Sequence, residues 1–192
     1  SDYTIREYIC NFIMSKLETN TIDTVSGTTN LTIGSTNSST VTFESGAATG
    51  HMNPAFSVTL GTTQNISSGS VTKINLNNEV LDTDNCYDNS SNYRFTPNKA
   101  GKYMFISMCR IEGTGANANA RILKNGTTAS FSIASNSAST QETINNSVVL
   151  DMNGTSDYVE LYAEQNTGST KQVYGDNAGA GSTVFHGFRL GS

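Results

Sequence analysis

Between Tyr93 and Arg110 the chain carries a short β-like piece (Tyr93, Phe95), a turn from Pro97 to Gly101, and then a long strand. In that strand Tyr103, Phe105, Ser107, Cys109 and Ile111 point to one side, and Met104, Ile106, Met108 and Arg110 to the other. A strand with one solvated face alternates apolar with polar. This one is apolar on both faces as far as Met108, which predicts that both faces are covered. In an antiparallel β protein of this size the second cover is either a facing sheet or another subunit.

The same period of two recurs from Asn53 onward. Pro54–Leu60 alternates cleanly, and Ser70–Leu76 and Val80–Cys86 read as short strands. After the central strand, Ala118–Lys124 and Ala129–Ala134 flank Asn125-Gly126, a pair that tolerates the positive φ of a type I′ hairpin turn. Asn145–Met152 and Asp157–Gln165 read as a second hairpin around Asn153-Gly154. Gln172–Tyr174 and Thr183–Leu190 complete about ten strands at 8–12-residue spacing, a pattern that predicts an all-β antiparallel sandwich with the jelly roll as one option.

The first fifty residues differ. In residues 1–13, Ile5, Tyr8, Ile9, Phe12 and Ile13 recur at helical spacing and Asp2 is placed to cap the first turn. So short a helix is marginal in water without a partner surface, and two readings stand: an amphipathic docking helix, or a non-native leader ahead of Met14. Residues 14–52 hold two strand-like pieces, Leu31–Gly34 and Val41–Gly46, and few apolar residues besides. These cannot bury a core within one chain, but three chains wound together can. The expectation is an extended arm or trimeric β stalk, against a disordered linker, ahead of a globular head at residues 53–192.

Composition narrows the function classes. Charged residues are 14% and hydrophobic residues 35%, so Ser, Thr, Asn and Gly fill the remainder, which favours turns and polar strand faces over helices. The net charge of −5 supplies no basic face to displace counterions from a nucleic acid. No apolar run approaches the roughly 20 residues of a membrane-spanning helix. Three cysteines, Cys10, Cys86 and Cys109, form no CxxC pattern and an odd number cannot all pair within one chain. Free, buried thiols are expected, with a Cys86–Cys109 bridge as the alternative. Seven Asn-x-Ser/Thr sequons, at Asn30, Asn37, Asn65, Asn89, Asn125, Asn145 and Asn153, are read as chance in so Asn/Ser/Thr-rich a chain.

Residues 85–105 carry Asn85, an aromatic at Tyr93 or Phe95, and Gly101-Lys102-Tyr103-Met104-Phe105; the last strand carries Thr183-Val184-Phe185-His186-Gly187-Phe188. Together these resemble the opening and closing strand motifs of the C1q/TNF-like heads, and Val149–Leu161 resembles a third motif with a longer turn. The resemblance covers residues 53–192. It implies a ten-stranded antiparallel jelly roll that assembles as a homotrimer through one sheet, with Tyr103, Met104, Phe105, Ile106, Met108, Phe185 and Phe188 in the core or the interface. Animal members carry collagen, whereas no Gly-x-y repeat occurs here. The Thr/Asn/Gly-rich lead is similar in style to leaders of bacteriophage virion proteins, particularly marine ones.

Catalysis is not expected. His51 and His186 read as structural or surface residues, and no nucleophile elbow, Walker loop or dinucleotide fingerprint is present. Asp157, Glu160 and Glu164 read as the wet face of a strand. Asp82, Asp84 and Asp88 form an oxygen-rich loop of the kind Ca²⁺ uses, although not at EF-hand spacing. The functional expectation is a non-enzymatic homotrimeric virion protein. Residues 1–50 attach it to other virion proteins, and the head serves host-surface adhesion, as in a tail fibre, or capsid decoration. Its ligand loops, Asn85–Asn92, Gly113–Asn119, Ser135–Gln141 and Asn166–Gly181, are expected at one distal end. Asn85, Asn92, Asn117, Asn136 and Asn177 are placed there to meet a host glycan or protein. A secreted trimeric signalling or lectin-like ligand is the alternative, and a carbohydrate-active enzyme the second.

Overall fold

A computed structural model describes residues 53–113, 117–135, 141–178 and 183–191. The expectations for residues 1–13 and 14–52, with Cys10 and His51, lie outside the described residues. In chain order the strands are β1 (Ala55–Thr59), β2 (Gln64–Ile66), β3 (Thr72–Lys73), β4 (Asn78–Asp82), β5 (Tyr87–Asp88), β6 (Arg94–Phe95) and β7 (Ala100–Glu112). They continue as β8 (Asn117–Lys124), β9 (Thr127–Ser135), β10 (Gln141–Asn153), β11 (Val159–Gln165), β12 (Lys171–Val173) and β13 (Val184–Gly191). A 3-10 turn, Asp176–Ala178, stands before β13.

The strands form two antiparallel sheets. The first runs β4-β1-β13-β7, with β10 along the other edge of β7 and β12 and β2 carried on past its Ile111 end. The second runs β5-β6-β11-β8-β9, with β3 also against β11. Between the sheets lies a single buried cluster. Its near end is aromatic: Phe56 stacks on Phe95 at 4.4 Å and meets Phe185 edge-on at 5.1 Å, with Tyr103 and Phe105 stacked alongside at 6.1 Å. Its far end is aliphatic, with Leu60, Ile66, Ile74, Leu76, Ile111, Ile122, Ile144 and Leu161 all buried.

The alternation of β7 is as read: Tyr103, Phe105, Ser107, Cys109 and Ile111 are buried, and the residues between them face outward. The Asn125-Gly126 hairpin also forms between β8 and β9, with φ of 51° and 78° as a type I′ turn requires. Cys86 and Cys109 are both free and buried, so the alternative bridge does not exist; burial pushes the Cys109 thiol up to about 12.

Three expectations are corrected. The segments around Asn153-Gly154 are not a hairpin. Among the described residues β10 pairs only with β7, in the first sheet, and β11 lies in the second, against β8. The side chain of Asn153 accepts N–H bonds from Thr155, Ser156 and Asp157, which turns the chain across the sandwich instead of back along the same sheet. Val80–Cys86 is not one strand, because Asn85 takes a left-handed φ of 55° and the chain changes sheets between β4 and β5. Thirteen strands stand among the described residues where about ten were expected, since pieces as short as Thr72–Lys73 and Gln64–Ile66 leave no period to read.

Gly187 is needed by the ring stack. A Cβ there would lie 2.5 Å from Phe56 Cε1 and 2.6 Å from Phe105 Cδ1, at the middle of the aromatic cluster. Gly187→Ala is therefore expected to cost about 1–3 kcal/mol through overpacking. A lower urea midpoint at unchanged slope would report it, whereas an unchanged midpoint would mean that the rings move aside freely.

Candidate functional site

The outward face of the first sheet is built by register. One cross-strand row runs Val149, Met104, Phe188, Ala55 from β10 to β1. The next runs Ser147, Ile106, His186, Ser57, Leu81 from β10 to β4. A third runs Asn145, Met108, Val184, Thr59. Apolar side chains thus occupy adjoining positions on β7, β13 and the edges beside them. Ile106 is 40% exposed, Leu81 48% and Val149 50%, while Met104, Met108, Val184 and Phe188 are half-buried, so this face is partly open in the single protomer. A contiguous apolar face on a sheet whose other side already carries the core marks an interaction surface.

Polar groups border it. Lys102 pairs with Asp151 at 2.7 Å below the apolar rows, and Arg110 bonds Gln141 above them. On the β10 side, Asn145, Asn146 and Ser147 with Ile106 line a shallow open cleft of about 450 Å³. The buried Asn146 is held by Ser130 of β9 and by the Ala120 carbonyl at 3.3 Å, which ties the two sheets along that edge. His186 sits in the middle row, its Nδ1 2.9 Å from Ser57 Oγ; burial holds its pKa below the ordinary value.

The residues expected in the core or the interface divide cleanly. Tyr103, Phe105 and Phe185 are fully buried between the sheets, and Tyr103 spends its hydroxyl on the Lys99 carbonyl at 2.7 Å. Met104, Ile106, Met108 and Phe188 lie on the outward face. Val149 and Leu81 complete that face and were missed from sequence. Val149 follows polar Asn145 and Ser147 on its strand, and Leu81 sits in a strand of only five residues. The expected wet face of β11 is also corrected: Glu160 is buried under Lys73, at 2.5 Å, and Glu164 pairs with Arg121. Long cationic stems lie over those carboxylates and close them off from solvent.

The acidic loop does not gather into one group. Asp82 Oδ2 accepts the Tyr87 N–H at 2.7 Å. Asp84 accepts from Lys99 at 2.9 Å, and that bond foremost holds its carboxyl below the usual range. Asp88 accepts the backbone N–H groups of Ser90, Ser91 and Asn92, with the Ser91 bond the largest cause of its lowered pKa. Among the described residues no three His, Cys, Asp or Glu side chains stand together as a metal-binding group.

The loops do not share one end. The strand ends Glu112 and Asn117, Ser135 and Gln141, and Gln165 and Val184 lie at the far end of the sandwich. Asn85–Asn92 lies at the opposite end, where β1 begins. Asn117 opens β8, and Asn177 caps Thr63 at 2.8 Å; Asn136 is outside the described residues. Asn85 and Asn92, with Asp88 and Arg94, line a separate polar cleft of about 340 Å³. Strand order decides this split, and composition alone could not show it.

A C1q domain sequence profile matches residues 55–190. No curated protein sequence matches the chain. Among solved structures, the globular domain of zebrafish complement 1qA protein is 18% identical with a TM-score of 0.52, covering 72% of this chain and 98% of its own. Murine APRIL, at pH 8.5, is 12% identical with a TM-score of 0.52, covering 71% and 99%. The Eiger TNF of S. frugiperda is 6% identical with a TM-score of 0.55, covering 72% and 92%. At these identities the likeness is one of fold, and the fold is the one expected. No helix among the described residues is long and apolar enough to cross a membrane.

Asp88→Ala removes the shared acceptor of three N–H groups. Hydrogen exchange at residues 90–92 is expected to quicken about tenfold or more, with β7 amides unchanged. Acid should lower the protection of the same amides in the parent chain, each rate being taken relative to the intrinsic exchange rate at that pH. A carboxyl whose folded pKa is depressed stabilises the turn above the ordinary Asp value of about 3.9, and loses that contribution as pH falls towards the folded value. Exchange at 90–92 that ignores both changes would mean that the turn holds without the carboxylate.

Proposed function

Because the chain belongs to the C1q domain family, we propose that it is a non-enzymatic binding head that works as a homotrimer, three copies burying the outward face of the first sheet against one another. The observation that carries this reading is the set of adjoining apolar rows through Met104, Ile106, Met108, Phe188, Val184, Val149 and Leu81, of which Ile106, Val149 and Leu81 are exposed and the others half-buried in one protomer. Burying such a face removes apolar area from water at about 25 cal/mol per Å², and closed cyclic symmetry lets every copy do so.

The trimer is a virion component, displayed on the particle for host-surface adhesion or as capsid decoration. Support comes from the Thr/Asn/Gly-rich residues 14–52, which resemble a phage leader and lack the collagen repeat of the animal proteins. Under this reading residues 1–50 attach to the particle. The polar segments that join Glu112 to Asn117, Ser135 to Gln141 and Gln165 to Val184 meet the host surface. A second reading, a secreted trimeric signalling or lectin-like ligand, draws on the likeness of the fold to murine APRIL and zebrafish complement 1qA protein.

Ile106→Glu places a charge in the middle row. Sedimentation of the full chain is expected to show a trimer, and the variant a folded monomer with unchanged circular dichroism. A parent chain that stays monomeric at high concentration would overturn the trimer. Antibody labelling of particles from the native source separates the biological readings. Label at capsid three-folds means decoration and label at fibre tips means adhesion; label confined to the secreted fraction establishes the second reading.

A further inference from the structure

Among the described residues the outward face holds one titratable group within its apolar rows. His186 stands between Ile106 of β7 and Ser57 of β1, with Phe188 and Val184 two residues away on its own strand. Its Nδ1 is 2.9 Å from Ser57 Oγ, a hydroxyl that can give or accept, so Nδ1 of the neutral ring is satisfied in either tautomer. The imidazolium is different. It donates from both nitrogens, and Ser57 can take only one of those bonds.

Among the described residues no carboxylate on this face is placed to receive the second proton. On β7 the outward charges are Lys102 and Arg110, each four residues from Ile106 and so about 13 Å along the strand. Both are cations, and they would repel an imidazolium. On β10 the outward-facing charge is Asp151, which stands beside Lys102 and is paired with it. β1 offers Ala55, Ser57 and Thr59, none of them charged. On β4, Leu81 occupies the row, while Glu79 and Asp82 stand opposite the core-facing Val58 and Phe56. On β13 itself, Arg189 is a further cation and bonds the Ala100 carbonyl at 3.1 Å.

We infer that His186 makes assembly of the head conditional on pH: copies of this chain associate through the face while the imidazole is neutral, and separate when it is protonated. The inference rests on the homotrimer reading above and adds its control. A charge taken from water into an apolar interface without a partner is strongly disfavoured, and the trimer takes in three. The sign follows by linkage. A His whose pKa is lower in the assembled state than in the free protomer favours assembly above the free-state pKa, and opposes it as pH falls through that value. Were assembly to depress each imidazole by about one pKa unit, three linked sites would weaken the trimer association constant about a thousandfold below both values.

The test is sedimentation equilibrium of the full chain at pH 7.5 and pH 5.0, beside His186→Gln, which keeps a hydrogen-bonding side chain and cannot titrate. The expected result is a trimer at pH 7.5 whose association constant drops at least about tenfold at pH 5.0, and a variant that assembles equally at both. A parent trimer equally tight at pH 5.0, or a variant that dissociates like the parent, overturns the inference and leaves the trimer standing. A parent monomeric at both pH values overturns the trimer reading itself. Should His186→Gln misfold, NMR titration of the His186 ring decides: its pKa is expected to be lower in the trimer than in a monomeric variant made with an uncharged substitution, Ile106→Asn, since a carboxylate at 106 would itself raise the ring's pKa, and equal values overturn the inference.

Discussion

Strand β7 has two apolar faces, and one protomer can bury only one of them. On the inner face Tyr103, Phe105, Cys109 and Ile111 are shut between the sheets. On the outer face Met104, Ile106 and Met108 form the middle column of a surface that β13, β1 and β10 widen on either side. A pleated strand sends neighbouring side chains to opposite sides, so nothing within β7 can relieve this. Association with further copies is the remedy that the strand's own chemistry asks for.

The inner side explains why that outer face is flat and continuous. Phe56, Phe95, Phe105 and Phe185 pack as one ring cluster across β1, β6, β7 and β13, and Gly187 leaves the room in which they meet. Because those rings hold β1, β13 and β7 in register, Ser57, His186 and Ile106 fall into a single row on the other side. Core and interface are thus two readings of one set of backbone hydrogen bonds. The same rigidity sets His186 between Ile106 and Ser57, with the Ser57 hydroxyl at its Nδ1.

The regions that a sequence-based reading mistook share one cause. Asn153-Gly154 carries a hairpin's local signal, yet the strands it joins belong to different sheets. The Asn153 side chain bonds three successive N–H groups, and β10 and β11 find better partners elsewhere. Glu160 and Glu164 look like a solvated face until Lys73 and Arg121, distant in sequence, close over them. Loops of like composition were grouped at one end, but strand direction sends Asn85–Asn92 to the other. The acidic residues of that loop look like cation ligands, yet their oxygens answer to the chain's own N–H groups and to Lys99.

What could be read along the chain were the quantities with a short period: the two faces of β7, the Asn125-Gly126 turn and the opening and closing strand motifs. Each depends on side-chain direction or on φ at one or two residues, and these are local properties. Tertiary structure alone decided which strand neighbours which, and so which residues share a row. Leu81 and Val149 became part of one surface, and His186 its centre, only when β4, β1, β13, β7 and β10 were laid side by side. Their hydrogen bonds join residues as far apart as Ser57 and His186, a separation across which no periodicity carries information.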